Sequence, residues 1–96
     1  MKKVEIYTSG SCFYCVAAKN FLKQHGHAYA ELRIDTDPAN YRAMLERAQR
    51  RSVPQIFIDG EHIGGFDDLV AAERAGKLAE GAGTPLRAEN DPERKD

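Results

Sequence analysis

Cys12 and Cys15 stand three positions apart in the segment TSGSCFYC and are the two cysteines of this 96-residue chain. A pair at that spacing can clamp a metal, staple the backbone, or cycle between dithiol and disulfide. Zinc would need two more ligands. The histidines that could complete the set, His25 and His27, give C-x2-C-x9-H-x-H, whereas finger-type sites separate their pairs by about twelve residues and their histidines by three to five. His25 falls on an apolar helical stripe and reads as a boundary side chain, and His62 reads as a surface one. A staple fits no better, because two cysteines in a chain this small do not make a secreted disulfide framework, and in a reducing compartment a close pair is usually catalytic or metal-binding. Redox chemistry suits the placement. A thiol ordinarily titrates near 8.5, but the value falls to about 3.5–7.5 for cysteines at helix N-termini in CxxC motifs, where free N–H groups and the helix dipole stabilise the anion. Cys12, at the expected helix start, is the candidate nucleophile; Cys15, one turn inside, is the candidate resolving thiol that attacks a mixed disulfide on Cys12.

The elements that must hold this pair are legible in the pattern. Val4–Tyr7 is short and β-favouring and ends in TSGS, small residues that stop a strand and cap a helix. Ala18, Phe21, Leu22 and His25 then recur at helical spacing, with Gly26 placed to end the helix. The run AYAELRI alternates with strand period, Ala28, Ala30, Leu32 and Ile34 on one face and Tyr29, Glu31 and Arg33 on the other. Asp37 followed by Pro38 predicts a helix start, and Tyr41, Met44, Leu45 and Ala48 carry that helix to about Gln49. QIFI, Asp59-Gly60 and EHIG predict a hairpin with a two-residue turn, and FDDLVAAERAG a closing helix with acidic residues in its first turn. The order β-α-β-α-β-β-α implies an α/β fold with a four-stranded mixed sheet and helices on both faces. From residue 80 to 96 the chain is too poor in apolar residues to offset the entropy of ordering, so residues 1–79 are expected to form the domain and 80–96 a disordered polar tail.

Composition narrows the partners. With 42% apolar and 30% charged residues and a formal charge of −1, from 14 basic and 15 acidic side chains, the chain lacks the basic surplus of a nucleic-acid binder. Only a few apolar residues follow the leading lysines, too few for a signal peptide, and no window nears eighteen apolar residues. A cytoplasmic monomer that engages neither nucleic acid nor membrane is expected.

Three blocks in order, VEIYTSGSCFYC, RSVPQIFIDGEHIGG and FDDL, resemble the glutaredoxin family, closest to the small bacterial dithiol type, over about residues 1–80. The resemblance implies a thioredoxin-like fold and a glutathione-dependent oxidoreductase that reduces protein-glutathione mixed disulfides and protein disulfides, with glutathione as reductant and no resident metal. It implies that Pro54 is cis and turns the Val53 backbone toward Cys12, where it pairs with the cysteinyl part of glutathione. Ser52, Val53 and Pro54 would thus form one side of the glutathione site. Gly65, Phe66, Asp67 and Asp68 would form the other: Gly65 by permitting close approach, the Phe66 and Asp67 N–H groups by binding the γ-glutamyl carboxylate, and Asp67 or Asp68 by meeting its ammonium. Tyr14 resembles the family's aromatic beside the reactive sulfur.

The chain departs from the family pattern in two places. Ser9 stands where a basic residue is usual, leaving Arg42, Arg51 or Gln55 to receive the glycine carboxylate. Phe13 replaces the proline of the commoner CPYC, restoring a backbone N–H near the sulfur and adding an exposed aromatic, so a shifted reduction potential and an apolar docking face are expected. Family members without that proline also imply a second role, a dimer carrying one [2Fe-2S] cluster on Cys12 of two protomers and two glutathiones. A thioredoxin is a poorer match, since the chain has no tryptophan for a W-C-G-P-C motif.

Overall fold

A computed structural model describes residues 2–78; the tail expected at 80–96 lies outside them. The elements run β1 (Val4–Thr8), α1 (Phe13–Gln24), β2 (Ala30–Arg33), α2 (Pro38–Ala48), β3 (Gln55–Ile58), β4 (Glu61–Gly64) and α3 (Phe66–Arg74). This is the expected order, and the sheet is mixed as expected, with strand order β2-β1-β3-β4. β1 pairs parallel with β2 across the α1 connection and antiparallel with β3, which pairs antiparallel with β4.

Period-two alternation sends the side chains of the central strands into two cores. Val4 and Ile6 of β1 and Ile56 and Ile58 of β3 pack with Ala18 and Leu22 of α1, Leu69 and Ala72 of α3, and Leu78. Tyr7 and Phe57 point the other way, onto Met44 and Ala48 of α2. Helices therefore cover both faces. Burying each large apolar side chain contributes about 1.5–3 kcal/mol of transfer free energy, and Ile6, Leu22, Met44, Ile56 and Leu69 are fully buried. On the α2 face the Arg47 guanidinium lies 4.0 Å from the Phe57 ring centroid and bonds Tyr7 Oη and Glu5 Oε1, each at 2.9 Å.

The ends of the elements follow local chemistry. The Gly26 N–H donates to Lys23 C=O and the His27 N–H to Leu22 C=O, the paired bonds of a Schellman stop. Asp37 Oδ1 accepts the Ala39 N–H at 3.0 Å, with Pro38 in the first turn. Asp59 and Gly60 both take positive φ, 50° and 83°, as a two-residue hairpin turn of right-handed twist demands. β2 is shorter than the alternating run from Ala28 to Ile34. It is an edge strand whose partner offers only Glu5–Thr8; its Ala30 and Glu31 are exposed, while Leu32 and the following Ile34 pack toward α2 and the preceding Tyr29 toward the other core. The hairpin also carries a feature the pattern hid. Ile56 opposes Gly64 but Phe57 opposes His62, so Ile63 is the extra residue of a bulge that re-aims the chain into α3.

Candidate active site

β1 ends at Thr8, and the chain turns through Ser9–Ser11 to place Cys12 as the N-cap of α1, with extended backbone (φ −107°, ψ 112°). Its Sγ accepts the Cys15 N–H at 3.1 Å, the bond that Ser, Thr, Asp or Asn usually supplies at a helix start. Sulfur here does the work of a capping oxygen, and an N–H aimed at it is the contact an anionic sulfur accepts best. The Cys12 thiol also reaches the Val53 carbonyl oxygen at 3.5 Å. Cys12 is partly accessible, whereas Cys15 is buried, 1% exposed. Burial pushes the Cys15 thiol up to about 12, with the adjacent Cys12 sulfur reinforcing the shift and the Ser9 backbone and Lys19 opposing it. The two thiols are thus unequal in access, and Cys15 is the one held protonated.

Val53 is brought to Cys12 by the segment before β3, whose Val53–Pro54 peptide is cis, as the family resemblance implied. A groove of about 330 Å³ opens beside the pair. One wall is Ser52, Val53, Pro54 and Gln55; the other is Gly65, Phe66, Asp67 and Asp68 at the start of α3; Tyr14 and Arg50 close it. All eight residues assigned to ligand binding besides Cys12 in the sequence reading therefore line one cavity. At the start of α3 the first N–H groups have no carbonyl partner within the helix, and Asp68 turns its Oδ2 back to the Gly65 N–H at 3.0 Å. Asp68 is thus occupied as a cap, while Asp67 is the exposed neighbour on the groove.

The adjacent glycines differ in purpose. A Cβ on Gly64, at φ 123°, would collide with the Asp68 carboxylate, whereas one on Gly65 would meet only Pro54 O at 3.7 Å, an ordinary contact. The fold requires the first to be glycine. The second has φ −93° and leaves the groove open rather than satisfying the backbone.

Tyr14 is 58% exposed, with its ring centroid 6.1 Å from Phe66 and 5.5 Å from Phe13. Phe13 is 78% exposed, outside the groove lining. Of the three candidates for the glycine carboxylate, only Gln55 lines the cavity, and its carboxamide is already bonded to Ser52 and His62. Arg42 and Arg51 are absent from the lining, and the cation that lines it is Arg50, which sequence reasoning missed. No residue type separates Arg50 from Arg51 in the sequence; α2 ends at Gln49 in the left-handed region at φ 56°, and Arg50, the next residue, lines the groove beside Ser52–Pro54. His25 and His27 stand at the far end of α1, about 18 Å along a twelve-residue helix, where both contact Glu73 of α3, at 3.4 and 2.9 Å. Among the described residues there is no group of three or more His, Cys, Asp or Glu placed to hold a metal, and no helix long and apolar enough to cross a membrane.

A mixed sheet with a CxxC capping its first helix, faced by a cis proline ahead of the third strand, defines a thiol-disulfide oxidoreductase of the thioredoxin fold. The Glutaredoxin family model matches residues 4–63. Over 78 residues the chain is 49% identical to glutaredoxin 3 of Escherichia coli K12, spanning 81% of this chain and 94% of that protein. The solution structure of glutaredoxin from Brucella melitensis matches with TM-score 0.66 and 43% identity over 79% of this chain and 83% of that one. The buckwheat glutaredoxin-glutathione complex matches with TM-score 0.70 and 32% identity over 80% and 73%. The chain belongs to the glutaredoxin family.

Proposed function

We propose that the protein is a glutathione-dependent oxidoreductase that reduces protein-glutathione mixed disulfides and, using both cysteines, protein disulfides. The observation that carries this is the groove, which sets a cation, a helix start and a bent backbone segment around one side of an accessible cysteine. The buckwheat relative was solved with glutathione, and this cavity has the features for the same tripeptide. The Val53 N–H and C=O would pair with the cysteinyl part as an added strand would. The first N–H groups of α3 suit the γ-glutamyl carboxylate, Asp67 its ammonium, and Arg50 the glycine carboxylate.

With glutathione so held, the Cys12 thiolate attacks the glutathionyl sulfur of the substrate. The Cys12–glutathione disulfide forms, the substrate's S–S bond breaks, and the client leaves as a thiolate that takes a proton from water. A second glutathione thiolate then attacks the bound glutathionyl sulfur, giving glutathione disulfide and restoring the Cys12 thiolate. With a protein disulfide, Cys12 attacks one substrate sulfur. Cys15 then loses its proton and attacks Cys12, the client leaves as a dithiol, and two glutathiones reduce the resulting Cys12–Cys15 disulfide. The high value of Cys15 keeps that thiol protonated between turnovers, which leaves the Cys12 adduct open to a second glutathione. Glutaredoxin potentials of about −200 to −230 mV lie near the glutathione poise of the cytosol, which suits a cytoplasmic enzyme. Reduction of one peptide carrying either a glutathionyl or a plain cysteinyl mixed disulfide tests the reading. A strong preference for the glutathionyl form is expected, and equal rates would contradict it.

A further inference from the structure

His62 takes no part in the dithiol chemistry, yet short hydrogen bonds join it to the groove. Its Nε2 lies 2.7 Å from Gln55 Oε1. The Gln55 carboxamide, on a residue 1% exposed, sends its Nε2 to the Ser52 carbonyl oxygen at 3.0 Å and to Ser52 Oγ at 3.3 Å. These partners fix where the protons are. A carbonyl oxygen only accepts, so the Gln55 amide group faces Ser52, its oxygen faces His62, and His62 Nε2 carries the hydrogen. Phe57, the cross-strand partner of His62, holds the ring in that attitude, with centroids 5.0 Å apart and planes inclined by 32°. Burial and then the Arg50 guanidinium hold the imidazole below its ordinary value, against the pull of Asp68, so the neutral ring with hydrogen on Nε2 is the form present near pH 7.

Ser52, Val53 and Pro54 precede the first ladder residue of β3, so strand pairing does not hold them, and side chains must. We infer that His62 is a positioning residue for the glutathione groove: through Gln55 it anchors Ser52, and with it the segment whose Val53 carbonyl faces the Cys12 sulfur at 3.5 Å. Removing the His62 donor leaves Gln55 Oε1 buried without a partner, which is costly enough to turn the amide and release Ser52. The inference rests on the glutathione reading above and adds to it the residue that keeps one wall in place.

The test combines kinetics on a glutathionylated peptide with NMR of wild type, His62→Leu and His62→Gln. In wild type, imidazole nitrogen shifts should show hydrogen on Nε2 and a bare Nδ1, and the Gln55 side-chain amide protons should exchange slowly. His62→Leu should raise KM about three- to tenfold, the size of one lost buried hydrogen bond, with a smaller change in kcat and loss of Gln55 amide protection. His62→Gln, whose amide nitrogen reaches where Nε2 did, should recover most of both. A wild-type ring with hydrogen on Nδ1, or His62→Leu with wild-type KM and slow Gln55 exchange, overturns the inference. Equal impairment in the Leu and Gln variants overturns it too, since ring packing on Phe57 would then be the cause. If wild type itself shows no preference for the glutathionylated peptide, the functional reading fails instead, and the tautomer and Gln55 exchange still decide whether the relay exists.

Discussion

With Cys12→Ser, Cys15 becomes the sole thiol, and its reactivity measures the inequality on which the proposed mechanism depends. At pH 7.5 a thiol at about 12 is ionised to roughly one part in 30,000, against about one in eleven for an ordinary thiol near 8.5. The ratio is roughly 3,000. A more basic thiolate is intrinsically more nucleophilic, and a Brønsted coefficient of about 0.4–0.5 over 3.5 units returns a factor of roughly 25–55. Alkylation by iodoacetamide should therefore be about a hundredfold slower than that of a free cysteine in an unstructured peptide, and slower still because Cys15 is 1% exposed. Substituting Cys12 removes the sulfur that reinforces the shift, so a hundredfold is the ceiling of the ionisation effect, while burial, the largest cause, remains and keeps the thiol above its ordinary value. Quenched time courses read by mass spectrometry give the rate, and the pH profile gives the sign. Between pH 7 and 10 the Cys15 rate should climb about tenfold per unit without levelling, while the free peptide levels off near 9. A plateau near 8.5, or a rate equal to the peptide's, would refute the assignment of Cys15 as a buried, protonated thiol.

Arg50→Ala should raise KM for the glutathionylated substrate about fivefold, the worth of one solvent-screened ion pair of about 1 kcal/mol, and the defect should shrink in high salt; an unchanged KM would remove Arg50 from the carboxylate site. The neighbouring glycines should separate fold from function: Gly64→Ala, forced to φ 123° against Asp68, should lose about 1–3 kcal/mol of stability in denaturant melts, whereas Gly65→Ala should melt within about 0.5 kcal/mol of wild type yet bind glutathione severalfold more weakly. Glu31 is held below the usual carboxylate range by Lys19 and then Thr8, so its stabilisation is present above its ordinary value of 4.5 and is lost as pH falls through the lowered native value. Glu31→Gln should therefore cost about 1 kcal/mol at pH 7, with the difference from wild type closing in acid; a pH-independent difference would contradict this.

The parts of the fold that local chemistry dictates are legible in the sequence. Asp37-Pro38 names a helix start and Asp59-Gly60 a hairpin turn, because few other backbone conformations suit those residues. The apolar, β-favouring residues of Val4–Tyr7 and QIFI likewise mark the two central strands, whose Val4, Ile6, Ile56 and Ile58 are buried in one core. What could not be read depends on partners distant in sequence. The Ile63 bulge exists only relative to β3, and the truncation of β2 only relative to the length of β1. Within the site, the family resemblance rather than spacing names the groove residues, and the fold gathers them in one cavity. Arg50 was passed over because three arginines lie close together at the end of α2, and only the fold selects among them. His62 read as a surface residue because a four-residue strand gives no hint that Gln55 waits across the hairpin.

The central claim is that Cys12 carries the chemistry and Cys15 only resolves. Glutathione-coupled reduction of a glutathionylated peptide by wild type, Cys12→Ser and Cys15→Ser tests it most directly. Cys12→Ser should be inactive, and Cys15→Ser should keep much of the wild-type rate, because glutathione itself resolves the Cys12 adduct. Full activity in Cys12→Ser, or an inactive Cys15→Ser, would contradict the account.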